Sequence, residues 1–259
     1  MSVITLTSDW KNSDYYIGAM KGSILTVFPG ATIVDISHNI QPFSISQAAF
    51  VVKNCFANFP KGTVHIIAVN TETSDDRPYV AVKMYDHYFI SCDNGIFSLL
   101  SSDTPQEIVS LRNEENKTNS FSALNVFSVA AAGLLKGKKL TDLGEKYENL
   151  SRQVPMLPTI DDSIINGSIV YIDSYSNAIT NISKDLFERI SKGRKFEIFI
   201  QSNHYKIDRL NKKYAETSVG ELLALFNSSG FLEIAINNGN AAELLNLTTG
   251  SVVRVKFRH

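Results

Sequence analysis

The sequence predicts an α/β protein: an N-terminal, mostly parallel sheet with helices on both faces, followed by a smaller C-terminal β-barrel-like domain. Three observations predict it. Through the first 150 residues, β-branched runs alternate with segments whose apolar residues recur every three or four positions. The stretch Gln153-Val154-Pro155-Met156-Leu157-Pro158 is then too proline-rich for helix or strand. Beyond it, short apolar runs follow one another, separated by Asn, Ser and Gly. The expected divisions are an α/β domain over 1–152, a linker over 153–166 and a β-barrel domain over 167–259.

Ile4-Thr5-Leu6-Thr7-Ser8 reads as the first strand, ending at Asp9 just before a helix opened by Asp14-Tyr15-Tyr16. Tyr16, Ile17, Met20, Ile24 and Val27 mark that helix as amphipathic, and Pro29-Gly30 ends it. Thr32 to Ile36 reads as a buried strand. Ser44 and Gln47 resemble a capping box for a helix carrying Ala48, Phe50, Val51 and Cys55, which Pro60-Lys61-Gly62 stops. Val64 to Val69 is the third strand, and strands around Val80 and Phe89 flank Asp86-His87. Asp93-Asn94-Gly95 signals a turn, and Ala123 to Leu135 a further helix. In the second half the expected strands are Ser168 to Ile172, Lys195 to Ile200, Leu222 to Phe226, Phe231 to Ile236 and Val252 to Phe257. Turns are expected at Asn203, Ser228-Ser229-Gly230 and Asn237-Asn238-Gly239.

Composition excludes several classes. A net charge of -1 over 259 residues leaves no basic footprint for nucleic acid. The N-terminal MSVITLTSDW has neither the charged nor the long apolar region of a signal peptide, and no apolar run has the length of a membrane span. Cys55 and Cys92 lack metal-type spacing and read as reduced thiols of a cytoplasmic protein. Asn-x-Ser/Thr triplets at Asn116, Asn149 and Asn246 read as accidental. His38, His65, His87, His204 and His259 form no ligand cluster, so no metal is expected.

Asp9 is the most telling residue. In open α/β sheets ligands gather outside the carboxyl ends of the strands, which is where Asp9 falls. An acceptor-only carboxylate there suits vicinal hydroxyls such as those of a ribose. No glycine-rich phosphate cradle follows the strand, which points to a nucleoside without phosphate and away from a methyltransferase. The alternative is that Asp9 caps the next helix.

Read in order, the motifs resemble one family. They are Thr5-Leu6-Thr7-Ser8-Asp9, Tyr16-Ile17-Gly18-Ala19-Met20-Lys21-Gly22, Ile33-Val34-Asp35-Ile36-Ser37-His38, Phe59-Pro60-Lys61-Gly62-Thr63-Val64-His65 and Asp93-Asn94-Gly95. In the second half they are Tyr171-Ile172-Asp173 with Asn177, Thr180-Asn181-Ile182, Asn227 to Ala235 and Gly239-Asn240-Ala241-Ala242. The chain is similar, along its whole length, to the S-adenosylmethionine (SAM) hydrolases, or SAM hydroxide adenosyltransferases, relatives of the fluorinase and chlorinase. The resemblance implies a homotrimer with SAM, as substrate and not cofactor, between the N-terminal domain of one subunit and the C-terminal domain of its neighbour. It implies that Asp9 holds the ribose hydroxyls and that Phe43 walls the ribose and sulfonium. Asp173 would take the methionine ammonium and Ser228 its carboxylate. Asn177 would meet the adenine edge, Tyr175 and Tyr214 would stack, and Asn238 would offer adenine a backbone contact. Without the resemblance, Asn177 and Ser228 are ordinary turn residues, and Tyr175 and Phe43 core aromatics.

The family's Asp-Arg-His group around the attacking water is altered here. Arg77 remains, but Asn70 stands for the aspartate and Ser122 for the histidine. Neither takes a proton at neutral pH. Glu72, Asp75 or Asp76 could replace the lost counter-charge of Arg77, the alternative being a solvated acidic loop. Hydrolysis of SAM to adenosine and methionine and non-catalytic binding of SAM or adenosine therefore both stay open. A halogenase is the remoter reading, because Ala123 falls where the fluorinase has its halide-binding serine.

Overall fold

The computed structural model describes residues 2–112, 121–202 and 204–258, so Asn116, Asn203 and His259 lie outside the described residues. The chain divides into two compact units, Met1–Pro155 and Met156–His259.

The first unit carries β1 (Val3–Ser8), α1 (Tyr16–Val27), β2 (Thr32–Ser37), α2 (Ile45–Lys53), β3 (Val64–Ala68), β4 (Tyr79–Met84), β5 (His87–Cys92), α3 (Ile96–Leu100), β6 (Glu107–Leu111), α4 (Ser122–Leu135) and β7 (Gly144–Lys146). The sheet order is β2-β1-β3-β5-β4-β6-β7. β2, β1, β3 and β5 run parallel, and β4, β6 and β7 add antiparallel pairs. Alternate side chains feed two cores, as the two-residue strand period requires. Ile4, Leu6 and Ile66 join Met20, Ile24 and Phe127 of α1 and α4, whereas Ile67, Val80 and Val82 join Ala48, Val52 and Phe97 of α2 and α3. Both faces of the sheet are thus covered by helices, and each large aliphatic chain so buried contributes about 1.5–3 kcal/mol.

Several local readings change. β2 is an edge strand and half exposed, because its outer side has no neighbour. Ser44 makes no side-chain cap. Gln47 Oε1 instead accepts the Gln41 N–H at 2.7 Å, and α2 stops at Lys53, leaving Cys55 beyond it. Tyr85 and Asp86, both with positive φ, form the tight loop between antiparallel β4 and β5. Asp93-Asn94-Gly95 does more than turn the chain. Gly95, at φ 92°, starts α3, and buried Asp93 accepts from the Tyr147 hydroxyl and from the N–H and hydroxyl of Ser151.

The second unit carries β8 (Thr159–Asp161), β9 (Ile164–Ile172), β10 (Ala178–Ser183), α5 (Lys184–Ser191), β11 (Phe196–Ile200), β12 (Tyr205–Ile207), β13 (Leu222–Phe226), β14 (Phe231–Ile236), α6 (Ala241–Leu244) and β15 (Val252–Phe257). The order β12-β11-β15-β9-β10-β14-β13, with β8 on β9, makes a nearly closed antiparallel barrel. Its core holds Ile165, Ile169, Ile198, Leu232, Val255 and Phe257. Residues 159–161 and 164–166, read from sequence as linker, are strand. α5 is absent from the sequence reading. It is short and half charged, but Ser183 caps it by accepting the Leu186 N–H, and buried Phe187 anchors it edge-on to Phe196 and Phe257.

Candidate functional site

β1 and β3 lie parallel with Ser8 opposite Ala68, so Asp9 and Val69-Asn70 leave the sheet side by side at its carboxyl edge. The Asp9 carboxylate caps no helix. Its Oδ2 accepts the Phe43 N–H at 2.9 Å and the Asn70 N–H at 3.2 Å. One carboxylate oxygen therefore ties together three segments, those after β1, β2 and β3. Phe43 and Asn70 both adopt the left-handed region, at φ 66° and 50°, unusual for a phenylalanine, and this turns their N–H groups onto Asp9. The Phe43 ring is 73% exposed, so it is not a core aromatic. Asn94 braces the same loop from below, donating through Nδ2 to the Val69 and Asn70 carbonyls at 3.0 and 3.2 Å.

Arg77 has a buried Nε and Nη2 without hydrogen-bond partners. Its guanidinium lies against the Cys92 sulfur. None of Glu72, Asp75 and Asp76 forms an ion pair with it, and all three are exposed. Burial pushes the Cys92 thiol up to about 11 against the pull of Arg77, so the sulfur is a neutral neighbour and not a counter-ion. Ser122 opens α4, and its hydroxyl pairs with the Tyr79 hydroxyl at 2.8 Å. Burial raises the Tyr79 phenol above its usual range, keeping it protonated. Trp10 meets Phe121 edge-on at 4.9 Å, so the residues following Asp9 and preceding Ser122 are packed together.

In the second unit, Asp173 follows β9 and folds its loop around itself. Oδ1 accepts the N–H groups of Tyr175 and Asn177, both at 2.9 Å, and Oδ2 accepts Asn177 Nδ2 at 3.1 Å. The carboxylate's need for partners is therefore met locally, which removes the argument that only a ligand ammonium could supply one. Because Asn177 must use Nδ2 as the donor, its Oδ1 is left as an acceptor. Tyr175 is 76% exposed on the loop tip. The Ala242 N–H donates to the Ser176 carbonyl at 2.8 Å, drawing this loop to the start of α6, which follows the turn with exposed, left-handed Asn238.

Two partners escaped the sequence reading. Tyr214 Oη donates at 2.6 Å to Glu233 Oε1, and Glu233 is only 3% exposed in β14. Burial chiefly raises both groups, and each feels the Asp173 charge, so Asp173, Tyr214 and Glu233 share one cluster. The signal was present: Glu233 is a lone charge inside Phe231-Leu232-Glu233-Ile234-Ala235, and such a residue needs a buried partner. Ser228 sits exposed in the Asn227–Gly230 turn at the start of the same strand, where Asn227 Oδ1 accepts the Ser229 and Phe231 N–H groups. Tyr79 is the second missed partner, hidden because its neighbour Ser122 is 43 residues away.

The chain matches the SAM hydroxide adenosyltransferase N-terminal domain over residues 4–144 and the C-terminal domain of the same family over 167–254. It belongs to that family. An (R)-S-adenosyl-L-methionine hydrolase of Methanocaldococcus jannaschii is 30% identical, over 95% of this chain and 93% of that protein. A second so named, from Thermus thermophilus, is 26% identical over 98% of this chain and all of its own length. A crystal structure of an uncharacterized conserved protein from Thermotoga maritima superposes with a TM-score of 0.88 at 26% identity, covering 98% of this chain and 99% of that one. Among the described residues no group of three or more His, Cys, Asp or Glu is arranged to hold a metal, and no helix is long and apolar enough to cross a membrane.

Proposed function

We propose that this protein binds S-adenosylmethionine and hydrolyses it to adenosine and methionine by attack of water at the ribose C5′. The observation that carries the reading is the Asp9 carboxylate, fixed through Oδ2 at the sheet's carboxyl edge with Oδ1 left to accept. A diol grip without a phosphate cradle fits a nucleoside sulfonium, and relatives 26–30% identical bear the hydrolase name. In this reading Phe43 walls the sugar, Asp173 and Ser228 meet the amino-acid end, and Asn177 Oδ1 accepts from the adenine amino group. Tyr175 and Tyr214 flank the base, and the Asn238 backbone contacts it. A homotrimer sharing the ligand between copies and a cytoplasmic location, in keeping with free Cys55 and Cys92, belong to the same proposal.

The chemistry tolerates the loss of a base. Water forms the new C–O bond as the C–S bond breaks with its electron pair to sulfur, and the leaving thioether is neutral and needs no acid. The oxonium then releases its proton to solvent. Orientation alone supplies about 7–11 kcal/mol, whereas a general base adds about 10²–10⁴-fold. Asn70, Arg77 and Ser122 can therefore hold a water without deprotonating it, giving a slow hydrolase. The second reading, a SAM or adenosine binder without turnover, is favoured by one observation: the Ser122 hydroxyl is already engaged by Tyr79.

Incubation of near-stoichiometric protein with SAM, followed by chromatography, separates the two. Adenosine and methionine forming faster than without protein, with the excess lost in Arg77→Ala, supports hydrolysis. Intact SAM recovered from folded, SAM-binding protein selects the binding reading.

A further inference from the structure

Immediately before Asp9 lies a polar chain, buried at Ser8 and His38 and open to solvent at Lys21 and Asp35, that no role above uses. Lys21 Nζ donates to Asp35 Oδ2 at 2.6 Å, Asp35 Oδ1 stands 3.2 Å from His38 Nε2, and His38 Nδ1 lies 2.7 Å from Ser8 Oγ. Ser8 Oγ also accepts the Trp10 N–H at 3.3 Å. Ser8 is 1% exposed and His38 5%, so despite its Ser-His-Asp composition the group cannot present a nucleophile to a substrate. Its chemistry lies elsewhere.

The tautomer follows from the neighbours. An unprotonated Nε2 would set its lone pair against the Asp35 carboxylate, so Nε2 carries the proton and Nδ1 accepts from the Ser8 hydroxyl. The Nε2–H points off the line to Asp35 and makes no aligned hydrogen bond, although the distance is short. The aligned, buried contact of His38 is therefore the one to Ser8. That contact settles which way the Ser8 hydroxyl points. The hydroxyl's remaining lone pair then receives Trp10, closing a turn with Asp9 at its centre. His38 also begins the segment 38–43, whose last N–H is the Phe43 donor to Asp9 Oδ2. Asp9 is thus fixed on its own strand through Ser8 and at its carboxylate through the segment that His38 anchors.

We propose that His38 is a positioning residue for the Asp9 carboxylate, acting through the Ser8 hydroxyl and through the 38–43 segment. The inference rests on the reading of Asp9 as the ribose grip. Asparagine and glutamine separate it from a merely structural role, because the Asn carbonyl falls near Nδ1, whereas the Gln amide reaches toward Nε2. The test is calorimetric affinity for adenosine and for SAM in His38→Asn, His38→Gln, Ser8→Ala and Asp9→Ala, each with a thermal melt. His38→Asn is expected to stay within about 2-fold of the native protein, while His38→Gln and Ser8→Ala weaken both ligands about 3–10-fold, the worth of one hydrogen bond. Loss of affinity that follows the melting temperature, with Asn and Gln equal, would overturn the proposal. So would native affinity in Ser8→Ala and His38→Gln while Asp9→Ala binds weakly. Should His38→Gln fail to fold, Ser8→Ala decides alone. Native affinity in Asp9→Ala defeats the ribose assignment itself, and this inference with it.

Discussion

Replacing Asp9 by alanine probes the central assignment, and the geometry fixes how large the effect should be. Both lone pairs of Oδ2 are engaged by backbone, by Phe43 at 2.9 Å and Asn70 at 3.2 Å, so a ribose diol must place its two hydroxyls on Oδ1. A hydrogen bond to a charged acceptor contributes about 1.5–3 kcal/mol. Two that share one oxygen weaken each other, which puts the pair near about 3 kcal/mol, or about 10²-fold in affinity. Water can satisfy the freed Phe43 N–H, but the half-buried Asn70 N–H also loses its acceptor, so the fold should lose about 1–3 kcal/mol, and affinities are compared only in folded protein. The assay is titration calorimetry of native and Asp9→Ala protein against adenosine and 2′-deoxyadenosine. In native protein the deoxy ligand should bind about 10-fold more weakly, and in the variant that penalty should vanish, because the hydroxyl has already lost its partner. An equal deoxy penalty in both proteins would refute the reasoning even if Asp9→Ala were weaker overall.

Three further outcomes are expected. Asn70→Asp with Ser122→His should raise the rate of adenosine release about 10²-fold or more in a folded, SAM-binding double mutant, and an unchanged rate would mean that residues 70 and 122 do not face the reacting water. Burial holds His65 neutral down to about pH 3 and also lowers His87, 3.0 Å away; the unfolded chain takes up protons below about 6.5, so stability present above that pH falls by about 1.4 kcal/mol per pH unit for His65 as pH drops toward 3. Urea unfolding at pH 7 and pH 5 should show a smaller decline in His65→Phe than in native protein. Gly95→Ala should cost about 2 kcal/mol or more in the same assay, because φ there is 92° and the new Cβ would fall 2.3 Å from Gln153 Cγ.

How much of this was legible in the sequence depended on the range of the interaction. The first strand, α1, β3 and α4 were readable because their apolar periodicity is local and their breakers, such as Pro29-Gly30, are adjacent. α5 was not, since its eight residues, half of them charged, owe their helix to the Ser183 cap and to Phe187 packing on distant rings. The capping box at Ser44 failed because Gln41, three residues before it, offered Gln47 a better donor. Asp9 could be placed at the sheet edge from its position after a strand. Its partners could not, because Phe43 and Asn70 are 34 and 61 residues away and contribute only backbone, which leaves no trace in residue type. Tyr214 and Glu233 show the opposite case: the lone charge in an apolar strand announced that a partner existed without saying which.

In the proposed reading, Asn70 and Ser122 stand where the family has its acid and imidazole, and the geometry accommodates both exchanges. Residue 70 serves two tasks through different atoms. Its N–H and its left-handed backbone complete the Asp9 grip, and its carbonyl is held by Asn94, while only the side chain is free to address a water. Asparagine is among the residues that best tolerate that backbone, so an amide at this position keeps the N–H on Asp9. At residue 122 the serine hydroxyl pairs with the Tyr79 hydroxyl, which burial keeps protonated. Arg77 is the residue left with an unmet demand. The exposed acids of its own loop make no ion pair with it, and its buried Nε and Nη2 have no acceptor. A buried guanidinium in that state is costly and persists best where something with lone pairs completes it when the site is filled. In the proposed reading, the water in line with C5′ would supply those lone pairs, so Arg77 would hold the nucleophile even without a base.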